Sequence, residues 1–159
     1  MNYLSFRLAG VEYAVDVSVV ETVVDHGSTV AVPSPVPYMK GVMDLRGRVI
    51  PVIDLRKKFG LAETADPGKE PVVVISVADA GKGALVVGAL VDEVSEVVGI
   101  ADEAIEASRP DGARLWERYV RGVARLEGAE GAEARMIVII DVEGLFSIHE
   151  IEELGAQGR

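Results

Sequence analysis

Apolar and polar residues alternate with period two along most of this 159-residue chain, the repeat of half-buried β-strands. Tyr3–Ala9 puts Leu4, Phe6 and Leu8 on one face and Ser5 and Arg7 on the other, and Val11–Asp16 alternates again after Gly10. Two such runs around a short glycine turn predict a hairpin. Asp16 or Ser18 can start a short helix, with Ser18 and Glu21 at capping-box spacing, before the β-branched Thr22, Val23 and Val24 return the chain to strand. Thr29–Val32 predicts one more short strand, and Pro33, Pro35 and Pro37 a stiff extended connector. Ala62–Pro71 is polar and carries two prolines, so it reads as a loop and a candidate boundary between two lobes. Beyond it, Val72–Val77 and Ala84–Val91 are dense apolar runs about a turn at residues 79–83, and Val94, Val97 and Val98 continue the strand pattern. Ala101–Ala107 predicts one or two acidic helical turns, Ser108–Ala113 a loop, Tyr119–Leu126 a strand, residues 128–133 a turn and Met136–Ile140 a buried strand. Asp141 can cap a terminal helix whose apolar side is Leu145, Phe146, Ile148 and Ile151. About ten strands joined mostly by short turns argue for an all-β, barrel-like fold and against a doubly wound α/β one.

Composition narrows the function classes. The length fits a single domain, residues 1–154, with a tail at 155–159. With no cysteine, disulfides, cysteine–zinc sites and thiol catalysis are excluded. The N-terminus lacks the basic segment and long apolar core of a signal peptide, and the longest apolar run, Ala84–Val91, is too short to span a bilayer, so a cytoplasmic protein without direct membrane insertion is expected. The formal net charge of −10 is opposite in sign to that of a nucleic-acid binder. Residues 41–60 nonetheless carry Arg46, Arg48, Arg56, Lys57 and Lys58 against Asp44 and Asp54, either a solvated face or a basic contact patch for an acidic protein.

The enzyme patterns fail one by one. Gly81-Lys82-Gly83 with Gly88 has neither the Walker ending nor dinucleotide-fingerprint spacing. His26 and His149 stand far apart and outside any metal-ligand pattern, and the acids Asp92, Glu93, Glu96, Asp102, Glu103 and Glu106 form no EF-hand loop. No catalytic residue, cofactor or metal site is expected. A small acidic β-barrel enzyme remains as an alternative that turnover of any substrate would revive. A generic peptide-binding barrel is a third class, disfavoured by an aromatic content of 5% with Trp116 as the single tryptophan.

Gly41–Gly60 is the most informative stretch. It reads strand, Arg46-Gly47 turn, β-branched strand, a helical turn capped by Asp54, then Gly60 as a stop. Pro51 donates no ladder hydrogen bond, so its strand is expected to be an edge or bulged there. The run Lys40-Gly41-Val42, Asp44-Leu45-Arg46-Gly47, Val49-Ile50-Pro51-Val52-Ile53-Asp54-Leu55-Arg56 and Lys58-Phe59 resembles the signature of the CheW family of bacterial chemotaxis coupling proteins, with Asp44 where that family usually has asparagine. The resemblance extends over nearly the whole chain.

The resemblance implies two small five-stranded SH3-like β-barrels packed together with short helices, and a non-enzymatic adaptor that couples chemoreceptors to the histidine kinase CheA. The same role in a different chemosensory array is the alternative. It implies that the tip of the receptor's cytoplasmic hairpin is received between the lobes, at positions matching Val19, Glu21, Gly41, Arg46, Val72, Gly88, Val94 and Val97, with Arg46 paired to Glu21. It further implies that the regulatory domain of CheA meets an apolar strand face to which Val49 and Ile53 contribute.

Overall fold

The computed structural model describes residues 1–25, 29–34, 36–62, 69–79, 83–107, 119–127 and 134–145. His26, the turns expected at 79–83 and 128–133, the loop expected at 108–113, Trp116, the helical continuation expected through Ile151 with His149, and the tail lie wholly or partly outside these residues.

Eleven strands are present among the described residues: β1 (Asn2–Leu8), β2 (Val11–Asp16), β3 (Val20–Val24), β4 (Met39–Leu45), β5 (Arg48–Asp54), β6 (Val72–Asp79), β7 (Gly83–Leu90), β8 (Glu93–Gly99), β9 (Ile105–Ala107), β10 (Val120–Leu126) and β11 (Arg135–Ile140). Two four-residue helices accompany them, α1 (Leu55–Lys58) and α2 (Val142–Leu145). The strands form two sheets. The terminal sheet runs β8-β1-β2-β11-β10-β9 and the central sheet β3-β6-β7-β5-β4. The central sheet has the expected five strands. The terminal sheet gains a sixth because Ala101–Ala107 is not all helical: a 3-10 turn at Asp102–Ala104 gives way to β9, which pairs with β10 and packs Ile105 against Tyr3, Ile100, Ala124, Ile137 and Ile139. Gly122 makes this approach possible, since a Cβ there would stand 2.4 Å from the carbonyl oxygen of Glu106.

The expected lobe boundary at Ala62–Pro71 is corrected. β5 and α1 before it and β6 after it all belong to the central sheet, and the chain passes between sheets at Val17–Val19 and again at Val91–Asp92. The terminal sheet is therefore built from both ends of the chain around a contiguous central insert. Two pairings are parallel, β2 with β11 and β5 with β7, each joining strands far apart in sequence, as parallel pairing requires.

Three apolar layers follow from this arrangement. Met43, Ile50, Val52, Val72, Val74, Val86 and Leu90 form a cluster within the central sheet. Tyr3, Ala14, Ile100, Ala124, Ile137 and Ile139 form one in the terminal sheet. Between the sheets lies the largest layer, with Leu4, Phe6, Leu8 and Val15 from one and Ile53, Val73, Ile75, Val87 and Ala89 from the other. Because β6 and β7 contribute alternate residues to two layers, both of their faces are buried and their sequences are nearly continuous in apolar residues.

Local signals acted largely as expected. Asp16, not Ser18, caps the 3-10 turn at Val17–Val19, accepting from the Ser18 N–H at 2.9 Å, and Glu21 lies in β3. Asp54 caps α1 by accepting from the Lys57 N–H, and Gly60 ends it at φ +73°. Asp141 accepts from the N–H groups of Glu143 and Gly144. Thr29–Val32 contributes only a bridge, Val30 with Val42. Pro51 sits in a strand flanked on both sides, but β7 joins β5 only from Val52 onward, so at the proline itself one side of the strand carries no ladder.

Candidate functional site

The β4–β5 hairpin is the most exposed part of the signature run. Arg46 and Gly47 occupy its two central positions at φ +53° and +86°, the left-handed pair of a type I′ turn. Asp44 closes the turn, its Oδ1 accepting from the Gly47 N–H at 3.0 Å. An asparagine oxygen would do the same, so the departure at Asp44 leaves the motif's local geometry intact. Arg46 is exposed and forms no ion pair among the described residues. The expected Arg46–Glu21 pair is replaced by Arg48–Glu21, at 3.8 Å with side chains 58% and 39% exposed. Arg46 sits in the turn itself, whereas Arg48 is the first residue of β5. Such an exposed pair contributes about 0–1 kcal/mol.

The other expected receptor positions divide into three groups. Val19 and Val94 are half-buried and pack on the rim of the layer between the sheets. A cleft of about 390 Å³ opens beside Val19, lined also by Asp16, Arg121, Asp141 and Glu143. Val97 stands on the edge strand β8 with 56% of its surface exposed. Val72, Gly88 and Gly41 are buried. Val72 is a core side chain of the central sheet, and a Cβ on Gly88 would lie 2.9 Å from Val72 Cγ1 and 3.6 Å from Met43 Sδ. A Cβ on Gly41 would lie 2.1 Å from the Val30 carbonyl oxygen, so the backbone that approaches this glycine belongs to the same chain. Of the two expected kinase positions, Val49 is 47% exposed, whereas Ile53 is fully buried between the sheets and offers no surface.

Two further basic residues of the run, Arg56 and Lys58, make contacts within the fold, whereas Lys57 is exposed. Arg56 forks onto Asp92, Nε to Oδ1 and Nη2 to Oδ2, while its Nη1 donates to the Ala62 carbonyl. The hydrogen bond to Asp92 raises the Arg56 pKa above its ordinary value, against the effect of burial. Lys58 lies over the rings of Tyr38 and Tyr119, at 4.0 and 5.0 Å from their centroids. Phe59 stacks on Tyr119 and meets Tyr13 at a tilt, and Tyr13 stacks on Phe6. The Asp-Leu-Arg-Lys-Lys-Phe segment thus fastens the central sheet to the terminal one.

A second ionic cluster, absent from the sequence reading, braces the terminal sheet. Arg135 on β11 donates to both oxygens of the buried Glu12 on β2, with Nε at 2.7 Å, and to Glu96 on β8 at 2.7 Å. The hydrogen bonds from Arg135 hold the Glu12 carboxyl below its usual range although burial opposes this, and the Glu12 bond raises the Arg135 pKa. The only hint in the sequence is a glutamate inside the alternating Val11–Asp16 strand. Among the described residues, no cluster of three or more His, Cys, Asp or Glu is placed to hold a metal, and no helix is long and apolar enough to cross a membrane.

Known proteins share this architecture. A family model described as CheW-like domain matches residues 2–150. The probable chemotaxis protein CheW of Rhizobium etli is 33% identical over 149 residues, covering 94% of this chain and 89% of that protein. Chemotaxis protein CheW of Klebsiella aerogenes is 31% identical over 150 residues, covering 94% and 84%. The crystal structure of the scaffolding protein TtCheW from Thermoanaerobacter tengcongensis superposes with a TM-score of 0.74 at 29% identity, over 94% of each chain. Both the two-sheet fold and the hairpin signature agree with this match, and the chain belongs to the CheW-like family of chemotaxis coupling adaptors.

Proposed function

We propose that this protein is a non-enzymatic, cytoplasmic adaptor that joins the cytoplasmic tip of a chemoreceptor to the regulatory domain of the histidine kinase CheA through two separate surfaces. The observation that carries the receptor surface is Arg46. A non-glycine residue in the left-handed region is strained, and here the strained residue is an exposed arginine with no ion-pair partner among the described residues. Arg46, Glu21, Val19, Val94 and Val97 form the receptor surface in this reading, spanning both sheets. The kinase surface centres on Val49, an exposed valine on a strand otherwise lined by core residues.

The test is binding of the purified protein to a receptor hairpin fragment and, separately, to a CheA regulatory domain. Arg46→Ala is expected to weaken receptor binding at least about tenfold and leave kinase binding unchanged. Val49→Glu is expected to do the reverse. Wild-type protein that binds neither partner would overturn the reading.

A further inference from the structure

The geometry points to Arg56 and Asp92 as a positioning pair: their forked contact fixes the register of one sheet on the other, and so the spacing between receptor-facing residues on β8 and those on β3 and the β4–β5 hairpin. The inference rests on the receptor surface proposed above. Asp92 is the link between β7 of the central sheet and β8 of the terminal sheet. Its side chain receives the Arg56 fork from the residue run that follows β5, and its Oδ2 also accepts from the Ala9 N–H at 2.8 Å. Its own N–H donates to the Arg7 carbonyl at 3.0 Å. One carboxylate therefore ties together the β1–β2 turn, the crossover between sheets and α1. Both side chains are largely removed from solvent, 15% and 20% exposed, where a bidentate ion pair is screened least.

The apolar layer and the aromatic stack hold the sheets together, but such contacts are not directional and tolerate sliding. A planar guanidinium meeting both oxygens of a carboxylate is directional. The receptor surface draws on both sheets, so a change of register displaces Val94 and Val97 relative to Glu21 and Arg46. Val49 lies within the central sheet alone, and a kinase contact there is insensitive to register.

The native chain has no cysteine, so spin labels can be placed at Ser95→Cys on β8 and Lys40→Cys on β4, both exposed. Pulsed electron resonance then reads the distance between the sheets. Asp92→Asn keeps volume and an acceptor for Ala9 but removes the charge, and Arg56→Lys keeps the charge but removes the fork. Both are expected to broaden or shift the distance distribution, to lower receptor affinity about tenfold, and to change kinase affinity by less than about twofold. Unaltered distances in Arg56→Lys, which retains the ion pair's charges and guards against a misfolded Asp92→Asn, would overturn the inference. So would altered distances with full receptor affinity, or equal losses for both partners, the pattern of a merely structural role. If the wild type binds no receptor, the receptor surface fails on its own, and the distances still decide whether the pair sets the register.

Discussion

At the tip of the β4–β5 hairpin, an arginine stands where glycine or asparagine would fit without strain, and it is exposed and forms no ion pair among the described residues. That contrasts with Arg56 and Lys58 a few residues on, whose charges are engaged by Asp92 and by tyrosine rings. The same stretch of sequence therefore mixes an exposed arginine with residues that fasten the fold, and residue type alone does not separate them. Gly88 illustrates the other side of the problem. Its missing side chain makes room for Val72, Val52 and Met43 inside the central sheet. Gly88→Ala is expected to cost about 1–3 kcal/mol through overpacking, measured by urea unfolding, while the folded variant keeps its affinity for both partners. A stable Gly88→Ala that loses receptor binding would instead put this glycine at the interface.

At the level of elements, the strands were legible because each has at least one covered face, and the β-branched runs of β6 and β7 because both faces are covered. The caps at Asp54 and Asp141 were legible because they depend on neighbours one to three residues away. What joins the elements was not. Arg56 and Asp92 are 36 residues apart, and Arg135 and Glu12 are 123 apart, so no local spacing marks either pair. The acidic pattern of Ala101–Ala107 marks the single 3-10 turn at Asp102–Ala104 but not β9, because its acidic residues follow the solvent whereas its one large apolar residue, Ile105, follows the core. The Arg135 cluster gives the terminal sheet a measurable pH dependence. Glu12 has a folded pKa below its ordinary 4.5, so it adds stability that is present above that value and is lost as the pH falls through the folded pKa. With Arg135 still 35% exposed, the pair falls short of a fully buried one, and Glu12→Gln is expected to cost about 1–2 kcal/mol at neutral pH. In urea titrations between pH 7 and pH 3, the gap between wild type and Glu12→Gln should narrow below about pH 4.5. A gap that stays constant to pH 3 would remove the Glu12 carboxylate from the account.

Considered whole, the molecule is a central sheet inserted into a terminal one, with the largest apolar layer between them. This topology could not be read from the prolines of Ala62–Pro71, because the chain leaves and re-enters the terminal sheet at short links, Val17–Val19 and Val91–Asp92, that carry no proline or glycine. It suits an adaptor, since a surface that spans the sheets can report on their register while a surface within one sheet holds its partner constantly. The central claim is that receptor and kinase are held at the same time. It is tested most directly by sedimentation velocity of a mixture of receptor hairpin fragment, CheA regulatory domain and this protein. The account predicts a ternary species that forms only when all three are present and that Arg46→Gly reduces to the kinase–adaptor pair. Two binary complexes that compete, with no ternary species at saturating concentrations, would contradict it.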